Sequence, residues 1–110
     1  MNSKLSILTK TAFKKDLQAI VEYIEKDSPQ NAIKFADDLL PFLDKIIAHP
    51  TATSIVRQIP TKKNWYRYKI YKKNYKVIFK LLKSKLVFLG IIHTSRHLDN
   101  IAKMRTSDYS

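Results

Sequence analysis

The spacing of hydrophobic residues changes near the middle of this chain, from a helical period to a period of two. In the first half, apolar residues recur at intervals of three and four positions, which is typical of helices. In the second half, three runs rich in aromatic and β-branched residues read WYRYKIY, YKVIFKLL and KLVFLGIIH, which is typical of strands. Helices followed by strands predict an α+β fold with helices against a sheet.

Two amphipathic helices are predicted in the first half. The first begins at Thr11 as its N-cap and ends near Asp27, and Ser28-Pro29 then supplies an N-cap and a first-turn proline for the second. Pro50 marks the end of the second helix, and Pro41 inside it predicts a kink or two shorter helices. The two apolar stripes consist of Phe13, Leu17, Ile20, Val21 and Ile24, and of Ala32, Phe35, Ala36, Leu39, Leu43, Ile46 and Ile47. We expect an antiparallel helical hairpin with one shared apolar side.

A short strand over residues 5–8 is predicted to precede the helices, which gives the order β-α-α-β-β-β. Short turns at Lys-Lys-Asn and at Lys83-Ser84 make the last three strands antiparallel. Period two places Tyr68 and Ile70 of the first run, and Val77 and Phe79 of the middle run, on a buried face of the sheet, where we expect them to pack against the helices. We expect the basic side chains to collect on the opposite side, and residues 1–110 to form one domain.

The charge of the chain is strongly positive and unevenly distributed. Lys and Arg number 21 against nine acidic residues, so the net charge is +12. Between Arg57 and Arg96 there is no acidic residue. Such an imbalance points to an anionic partner, either nucleic acid or an acidic protein. A solubilising, lysine-rich surface is the alternative interpretation.

Composition also narrows the classes of site. The chain has no cysteine, so it has no thiolate metal site or disulfide and suits a reducing cytoplasm. The three histidines show no metal-ligand spacing and no acidic cluster offers a magnesium site, so we expect neither a metal nor another cofactor. No apolar run has the length of a signal peptide or a membrane span, which predicts a cytoplasmic protein without a membrane partner.

Three segments in order resemble the RelE/ParE superfamily, the toxins of bacterial type II toxin–antitoxin (plasmid stabilisation) systems. They are DLQAIVEYIEKDSPQNAIKFADDLLPFLDKIIAHP, YRYKIYKKNYKVIFKL and LVFLGIIHTSRH. The resemblance covers roughly residues 5 to 100. It implies a compact antiparallel sheet with a helical hairpin against it, and a cognate antitoxin, acidic in its toxin-binding part. It also implies one of two activities: RelE-like members are mRNA interferases that cut mRNA in the ribosomal A site, and ParE-like members are gyrase inhibitors.

The residues that match the family's basic positions are Arg67 and Arg96. The planar guanidinium of arginine suits the stabilisation of charge on a phosphate, so both are candidate catalytic residues. His93, after the last strand, is the candidate proton carrier, and a structural role at a strand end is its alternative. The candidate nucleic-acid-binding residues, which join cations to an aromatic ring, are Lys69, Lys72, Lys73, Lys76, Lys80 and Tyr66.

Three functions stay open on the sequence. The first is a ribosome-dependent, metal-independent endoribonuclease with RNA-binding activity, and the second is a toxin that poisons DNA gyrase. The third is a non-toxic basic module that binds nucleic acid. Phe79 stands where many family members have tyrosine, and the Ser28-Pro29 junction with its long second helix favours the ParE-like branch. The high charge and the nearby histidines favour the RelE-like branch.

Overall fold

The computed structural model describes residues 5–57 and 65–95. A first strand is followed by two helices, a short 3-10 helix and four further strands. In chain order these are β1 Ser6–Thr9, α1 Thr11–Asp27, α2 Pro29–Ala48, the 3-10 helix Pro50–Ala52, β2 Ser54–Ile55, β3 Tyr66–Tyr71, β4 Tyr75–Leu81 and β5 Lys85–His93. The strands form one sheet in the order β1-β5-β4-β3-β2. The predicted α+β architecture, a mostly antiparallel sheet against a helical hairpin, is confirmed.

The helical hairpin forms where the sequence predicts it, except that Lys10 is the N-cap of α1 and the predicted cap, Thr11, is its first helical residue. Ser28 is the N-cap of α2, and its hydroxyl accepts a hydrogen bond from the backbone N–H of Asn31 at 3.1 Å. Of the two outcomes predicted at Pro41, a kink or two shorter helices, the second is wrong, because α2 runs unbroken through this residue. Leu39 and Ile46 are buried on either side of it, and their packing outweighs the one backbone hydrogen bond that the proline removes. Neither helix in the described ranges is long and apolar enough to cross a membrane.

The sheet contains three features that the strand runs alone do not indicate. β1 pairs in parallel with β5, from Ser6 opposite Lys85 to Thr9 opposite Phe88. The two-residue strand β2 extends the other edge by pairing with β3. β5 carries a bulge, because Ile78 pairs with Gly90 whereas the next residue of β4 pairs with Phe88. The extra residue shifts the alternation of β5, so that Phe88 and Ile91 both face the helices.

Hydrophobic side chains cover both faces of the sheet. The inner core, between the sheet and the helices, contains Phe13, Phe35, Leu39, Ile46, Tyr71, Val77, Phe79, Leu86, Phe88 and Ile91. The outer cluster, on the opposite face, contains Val56, Tyr66, Ile78, Val87 and Leu89, with Trp65, Tyr68 and Ile92 packed beside them. Val77 and Phe79 therefore face the helices as the alternation predicts. The same prediction is wrong for Tyr68 and Ile70, because both lie on the outer face, where Tyr68 packs beside the outer cluster and Ile70 is 41% exposed. The outer face combines aromatic rings with Lys76 and Lys80 of β4.

The turn between β3 and β4 contains two lysines in the left-handed backbone region. Tyr71 pairs with Tyr75, which leaves Lys72, Lys73 and Asn74 in the turn. The φ angles are 49° at Lys72 and 68° at Lys73. For residues with a side chain this conformation costs about 1–2 kcal/mol each. The turn therefore stores backbone strain at the tip of the hairpin.

Replacing Lys73 by glycine should raise the free energy of unfolding by about 1 kcal/mol, because glycine adopts positive φ without a clash. Chemical denaturation of both proteins measures the difference. Lys83→Gly is the matched control: this lysine is also exposed in a turn but is not among the residues with positive φ. The control should gain no stability. Equal effects of the two substitutions would show that the strain at Lys73 is negligible.

Candidate nucleic-acid interface

Positive and negative side chains lie on different layers of the molecule. All acidic residues of the described ranges belong to the helices: Asp16, Glu22, Glu25, Asp27, Asp37, Asp38 and Asp44. The strands of the sheet and the turns between β3, β4 and β5 contain none. A polyanion that approaches the outer face of the sheet therefore meets lysines without competing carboxylates.

On the outer face, lysine ammonium groups lie over aromatic rings. Lys76 Nζ is 4.8 Å from the centre of the Tyr68 ring, on the adjacent strand. Lys80 Nζ lies 5.6 Å from the centre of the Trp65 ring and 5.4 Å from that of Tyr66. Cation–π contacts of this kind are worth about 0.5–2 kcal/mol and restrict the position of the ammonium group. β3 and β4 thus present ordered pairs of cations and rings, the residue types with which proteins contact a nucleic-acid backbone and its bases.

Accessibility differs between the two lysines. Lys80 is only 7% exposed and Tyr66 only 1% exposed, so neither offers a surface to a stacked base. Lys76, Tyr68 and Trp65 are partly exposed. These three side chains therefore form the accessible part of the outer face. Tyr66, predicted to bind nucleic acid, could contact a base only after its surroundings rearrange.

Arg67 and Lys69 lie on the other side of the sheet, with the helices. Arg67 pairs with Phe79, an inner-core residue. Its Nη1 donates a hydrogen bond of 3.0 Å to the carbonyl oxygen of Thr53 and one of 3.4 Å to that of Thr51, which ties the end of the helical hairpin to the sheet. Lys69 Nζ lies 5.5 Å from the centre of the Phe42 ring on α2. The prediction that the basic side chains collect on the face opposite the helices is therefore wrong for Arg67 and Lys69, because alternation along β3 places both on the helix side.

Lys72 and Lys73 lie at the tip of the hairpin and are both exposed. Lys72 Nζ donates to Asp38 Oδ2 at 2.8 Å, and this hydrogen bond lowers the pKa of the Asp38 carboxyl. The contact joins the hairpin tip to α2. Lys72 is therefore partly neutralised on the helix side, whereas Lys73 is the neighbouring exposed cation at the tip.

His93 lies at the end of β5 and is exposed. Its Nδ1 accepts a hydrogen bond of 3.1 Å from the backbone N–H of Ser95 and is 2.8 Å from the Ser95 hydroxyl. In the neutral ring this arrangement places the proton on Nε2. His93 pairs with Tyr75 in the sheet, whereas Arg67 pairs with Phe79.

Arg67 and His93, the two candidate catalytic residues in the described ranges, do not meet at one point. Two strand spacings and four residues along the strands separate Arg67 from His93, which corresponds to roughly 16 Å between their Cα atoms. Arg67 binds the carbonyl oxygens of Thr51 and Thr53, and His93 binds Ser95. The two side chains therefore do not meet at one phosphate without a change of structure. The third candidate, Arg96, lies outside the described residues.

A cleft beside His93 contains functional groups that the sequence analysis did not single out. It has a volume of about 600 Å³ and lies between α1 and the end of β5. Among its lining residues are Asp16, Tyr23, Tyr75 and His93. Asp16 Oδ2 accepts a hydrogen bond of 3.0 Å from the backbone N–H of Ile91. The pairing of β1 with β5 ends at Phe88, and the Asp16 carboxylate accepts the hydrogen bond of the Ile91 N–H beyond that point. Asp16 therefore has a structural role, which is to bind α1 to β5.

Within residues 5–57 and 65–95, no three His, Asp or Glu side chains lie close enough together to hold a metal ion.

Comparison with known proteins places these features in one family. The family model for the ParE toxin of the type II toxin–antitoxin system parDE matches residues 7–98. The fold is similar to a structure of the chromosomal ParDE toxin–antitoxin system from P. aeruginosa, with a TM-score of 0.63 and 16% identity over 81% of this chain and 95% of that chain. It is also similar to the solution structure of a conserved hypothetical protein from Helicobacter pylori, with a TM-score of 0.52 and 18% identity over 84% and 97% of the two chains. No curated protein matches this chain.

Proposed function

The chain belongs to the ParE family of type II toxin–antitoxin toxins, and from this premise we propose that it arrests growth by poisoning DNA gyrase. A cognate antitoxin is its partner in such a system. The observation that carries the choice of mechanism is the separation of Arg67 from His93. Metal-independent cleavage of RNA needs a proton carrier and a cation at the same phosphate, and the described residues do not bring the predicted pair together.

The outer face of the sheet supplies the surface for this activity. Lys76, with its ring partner Tyr68, lies in an acid-free region and is partly exposed. We propose that this region, extended by Lys73 at the hairpin tip, contacts the phosphates of DNA held by gyrase. The buried Lys80 restricts the positions of the Trp65 and Tyr66 rings in the same surface through its cation–π contacts with them. The bond between Arg67 and the Thr53 carbonyl supports the fold of the sheet edge.

Inducible expression in a bacterial host tests the mechanism. We expect growth to stop, gyrase–DNA cleavage complexes to accumulate, and primer extension to find translated mRNA intact. His93→Ala should retain the arrest, because gyrase poisoning needs no proton carrier at this position. Cleavage of mRNA within codons that disappears in the His93→Ala variant would instead establish the endoribonuclease. Growth without arrest would favour the non-toxic nucleic-acid-binding module.

Charge reversal on the outer face tests the surface. Lys76→Glu should lower toxicity strongly, since it places a carboxylate in the acid-free region. The matched control is Lys26→Glu, the same change at an exposed lysine in the last turn of α1, on the acidic layer. We expect the control to stay toxic. If both variants arrest growth as the parent does, the outer face is not the active surface.

A further inference from the structure

Two neighbouring clefts lie where the helices meet the turn between β3 and β4. The wide cleft is the one of about 600 Å³ beside His93, and the narrow cleft has a volume of about 310 Å³. Asn74 and Tyr75 line both of them, so the two clefts adjoin at these residues. Along α1, the lining passes from Asp16 in the wide cleft to Ile24 in the narrow cleft, which is about 12 Å along the helix axis. Volumes of this size are typical of sites for small molecules.

The wide cleft offers aromatic rings to a ligand. The rings of Tyr75 and His93 meet edge to face, with 5.5 Å between their centres. Tyr23 lines the same cleft and is 72% exposed. Burial, and to a smaller extent the nearby Tyr23, raises the pKa of Tyr75, so its phenol remains a neutral hydrogen-bond donor. Three rings, from α1, β4 and β5, therefore line a space in which a flat heterocycle can stack.

Polar groups of the wide cleft can bind the edge of such a ring. The neutral His93 ring carries its proton on Nε2, because its Nδ1 accepts a hydrogen bond from the backbone N–H of Ser95. The Asn74 side chain lines the cleft with a carboxamide, which contains two donors and an acceptor. A nucleobase, which has donors and acceptors along its edge, matches this set of groups.

The narrow cleft presents positive charge. Lys34 of α2 and Lys72 of the turn line it, and no carboxylate of the described residues does. Lys72 Nζ donates one of its three N–H groups to Asp38, which lines a separate cleft beside Lys72. The two other N–H groups of Lys72 can bind an anion together with the ammonium group of the exposed Lys34. Two ammonium groups against one carboxylate leave this end of the site positive.

We infer that the two clefts together bind a nucleoside 5′-phosphate, with the base in the wide cleft and the phosphates in the narrow cleft. Such a ligand carries a flat ring at one end and negative charge at the other, as the two clefts require. Tyr75 lines both clefts and lies beside the sugar. The site lies on the helix side of the sheet, whereas Lys76 and Tyr68 form part of the outer face. The inference therefore goes beyond the gyrase proposal and does not depend on it.

Simpler ligands use only one part of this site. An inorganic polyphosphate contacts Lys34 and Lys72 but leaves the rings of the wide cleft uncovered. A nucleoside without phosphate stacks beside Tyr23 but leaves the two ammonium groups without an anion. A nucleoside phosphate makes both sets of contacts and loses its translational freedom only once. It should therefore bind more tightly than either of its parts.

Calorimetric titration of the full chain with ATP, adenosine and inorganic triphosphate, each in buffer with EDTA, tests the inference. ATP should bind at least about tenfold more tightly than either of the other two. Equal affinities for ATP and triphosphate would show attraction to the positive chain alone and would overturn the inference. Absence of ATP binding would overturn it as well.

Variants at the two ends of the site locate the ligand. Tyr23→Ala should weaken binding of ATP and adenosine about tenfold and leave the affinity for triphosphate unchanged. Lys34→Ala should weaken binding of ATP and triphosphate about tenfold and leave the affinity for adenosine unchanged. Both side chains are exposed, so the variants should fold, and circular dichroism checks this. If neither substitution changes the affinity for ATP, the nucleotide does not bind in these clefts.

The outer face provides the matched controls, because it also combines rings with lysines. Tyr68→Ala and Lys76→Ala remove the same chemical groups from that face and should leave all three affinities unchanged. Loss of ATP binding in these variants, with normal binding by Tyr23→Ala and Lys34→Ala, would place the nucleotide on the outer face and overturn the inference.

A competitor identifies the form in which the nucleotide arrives. A 5′-phosphorylated trinucleotide that displaces ATP, when its unphosphorylated form does not, supports a site for the end of a nucleic-acid strand. Failure of both trinucleotides to displace ATP supports a site for the free nucleotide. Equal displacement by the two forms would mean that the phosphate is not recognised, which contradicts the inference.

The binding assay contains no gyrase, so this inference and the proposed function fail separately. A parent chain that arrests growth but does not bind ATP in the clefts refutes the nucleotide site alone. A parent chain that binds ATP there but does not arrest growth refutes the gyrase proposal alone.

Discussion

Replacing Phe79 by alanine should lower the free energy of unfolding by about 3–5 kcal/mol, the usual cost of removing a buried aromatic ring. Phe79 is 0% exposed and its ring centre lies 6.2 Å from that of Phe88. Its neighbours come from the helices and from the centre of the sheet, so the cavity cannot collapse easily. Because small domains are stable by about 5–15 kcal/mol, the variant should be close to unfolding at physiological temperature. Urea denaturation followed by circular dichroism measures the loss.

Two further substitutions show whether burial is the cause. Ile70→Ala removes a large side chain from an exposed position on the outer face and should cost less than about 1 kcal/mol. Phe79→Tyr restores the tyrosine of many family members, but it places a hydroxyl among apolar side chains and should cost about 1–3 kcal/mol. The difference between phenylalanine and tyrosine at position 79 should therefore affect the packing of the core. A stabilising effect of the tyrosine would show that its hydroxyl finds a partner there.

The elements of this fold were predictable because their signals are local. Helical spacing, the Ser28 cap and the aromatic runs each lie within one segment of the chain, and the structure contains the corresponding elements. The parallel pairing of β1 with β5 joins residues nearly 80 positions apart. No local pattern encodes that pairing, and the two-residue β2 is too short to leave one. The bulge beside Gly90 depends on the register of β4 and β5, which the sequence of a single strand does not contain.

The site was less predictable than the fold, because it depends on which residues of neighbouring strands share a face. Alternation within β3 separates Tyr66 and Tyr68 from Arg67 and Lys69. Whether Lys76 joins the first pair or the second depends on the length of the turn. A turn of three residues places Ile70 opposite Lys76, and it does so with positive φ at two lysines. Glycine or asparagine usually signals such a conformation, so the lysines concealed the type of turn and the register, although the position of the turn was predicted.

The distance between Arg67 and His93 also results from the register of the strands. Each residue type suits phosphate chemistry, and the sequence made both residues candidates for one catalytic site. Their separation follows from pairing: Arg67 lies opposite Phe79, and His93 lies opposite Tyr75 at the other end of the same strand. Residue type predicted candidate groups, whereas only the register of the sheet shows how far apart they lie.

Replacing Tyr71 by phenylalanine should lower stability at neutral pH by about 1–2 kcal/mol, and this difference should disappear in strongly alkaline solution. The Tyr71 hydroxyl is buried and donates a hydrogen bond of 2.6 Å to the carbonyl oxygen of Phe35 on α2. Burial, with a smaller contribution from the Asp38 carboxylate, raises the pKa of Tyr71 from 10.0 to about 12. The phenol is therefore held in its neutral form in the folded chain.

The sign of the pH dependence follows from this shift. Below pH 10 the phenol is neutral in both states, and its hydrogen bond contributes fully to stability. Between pH 10 and about 12 the unfolded chain releases the proton and the folded chain retains it, so rising pH favours unfolding. A shift of this size corresponds to an upper value of about 2–3 kcal/mol, and solvent screening near the surface reduces it to about 1–2 kcal/mol.

Denaturation of the parent and the Tyr71→Phe variant at a series of alkaline pH values measures the effect. Both chains contain the same lysines, whose titration cancels in the difference between them. The stability advantage of the parent should be constant up to pH 10 and fall toward zero by about pH 12. An advantage that stays constant across this interval would mean that the phenol ionises alike in both states. In that case the link between β3 and α2 would depend on the packing of the Tyr71 ring against Phe35 and Phe42, because phenylalanine retains that ring.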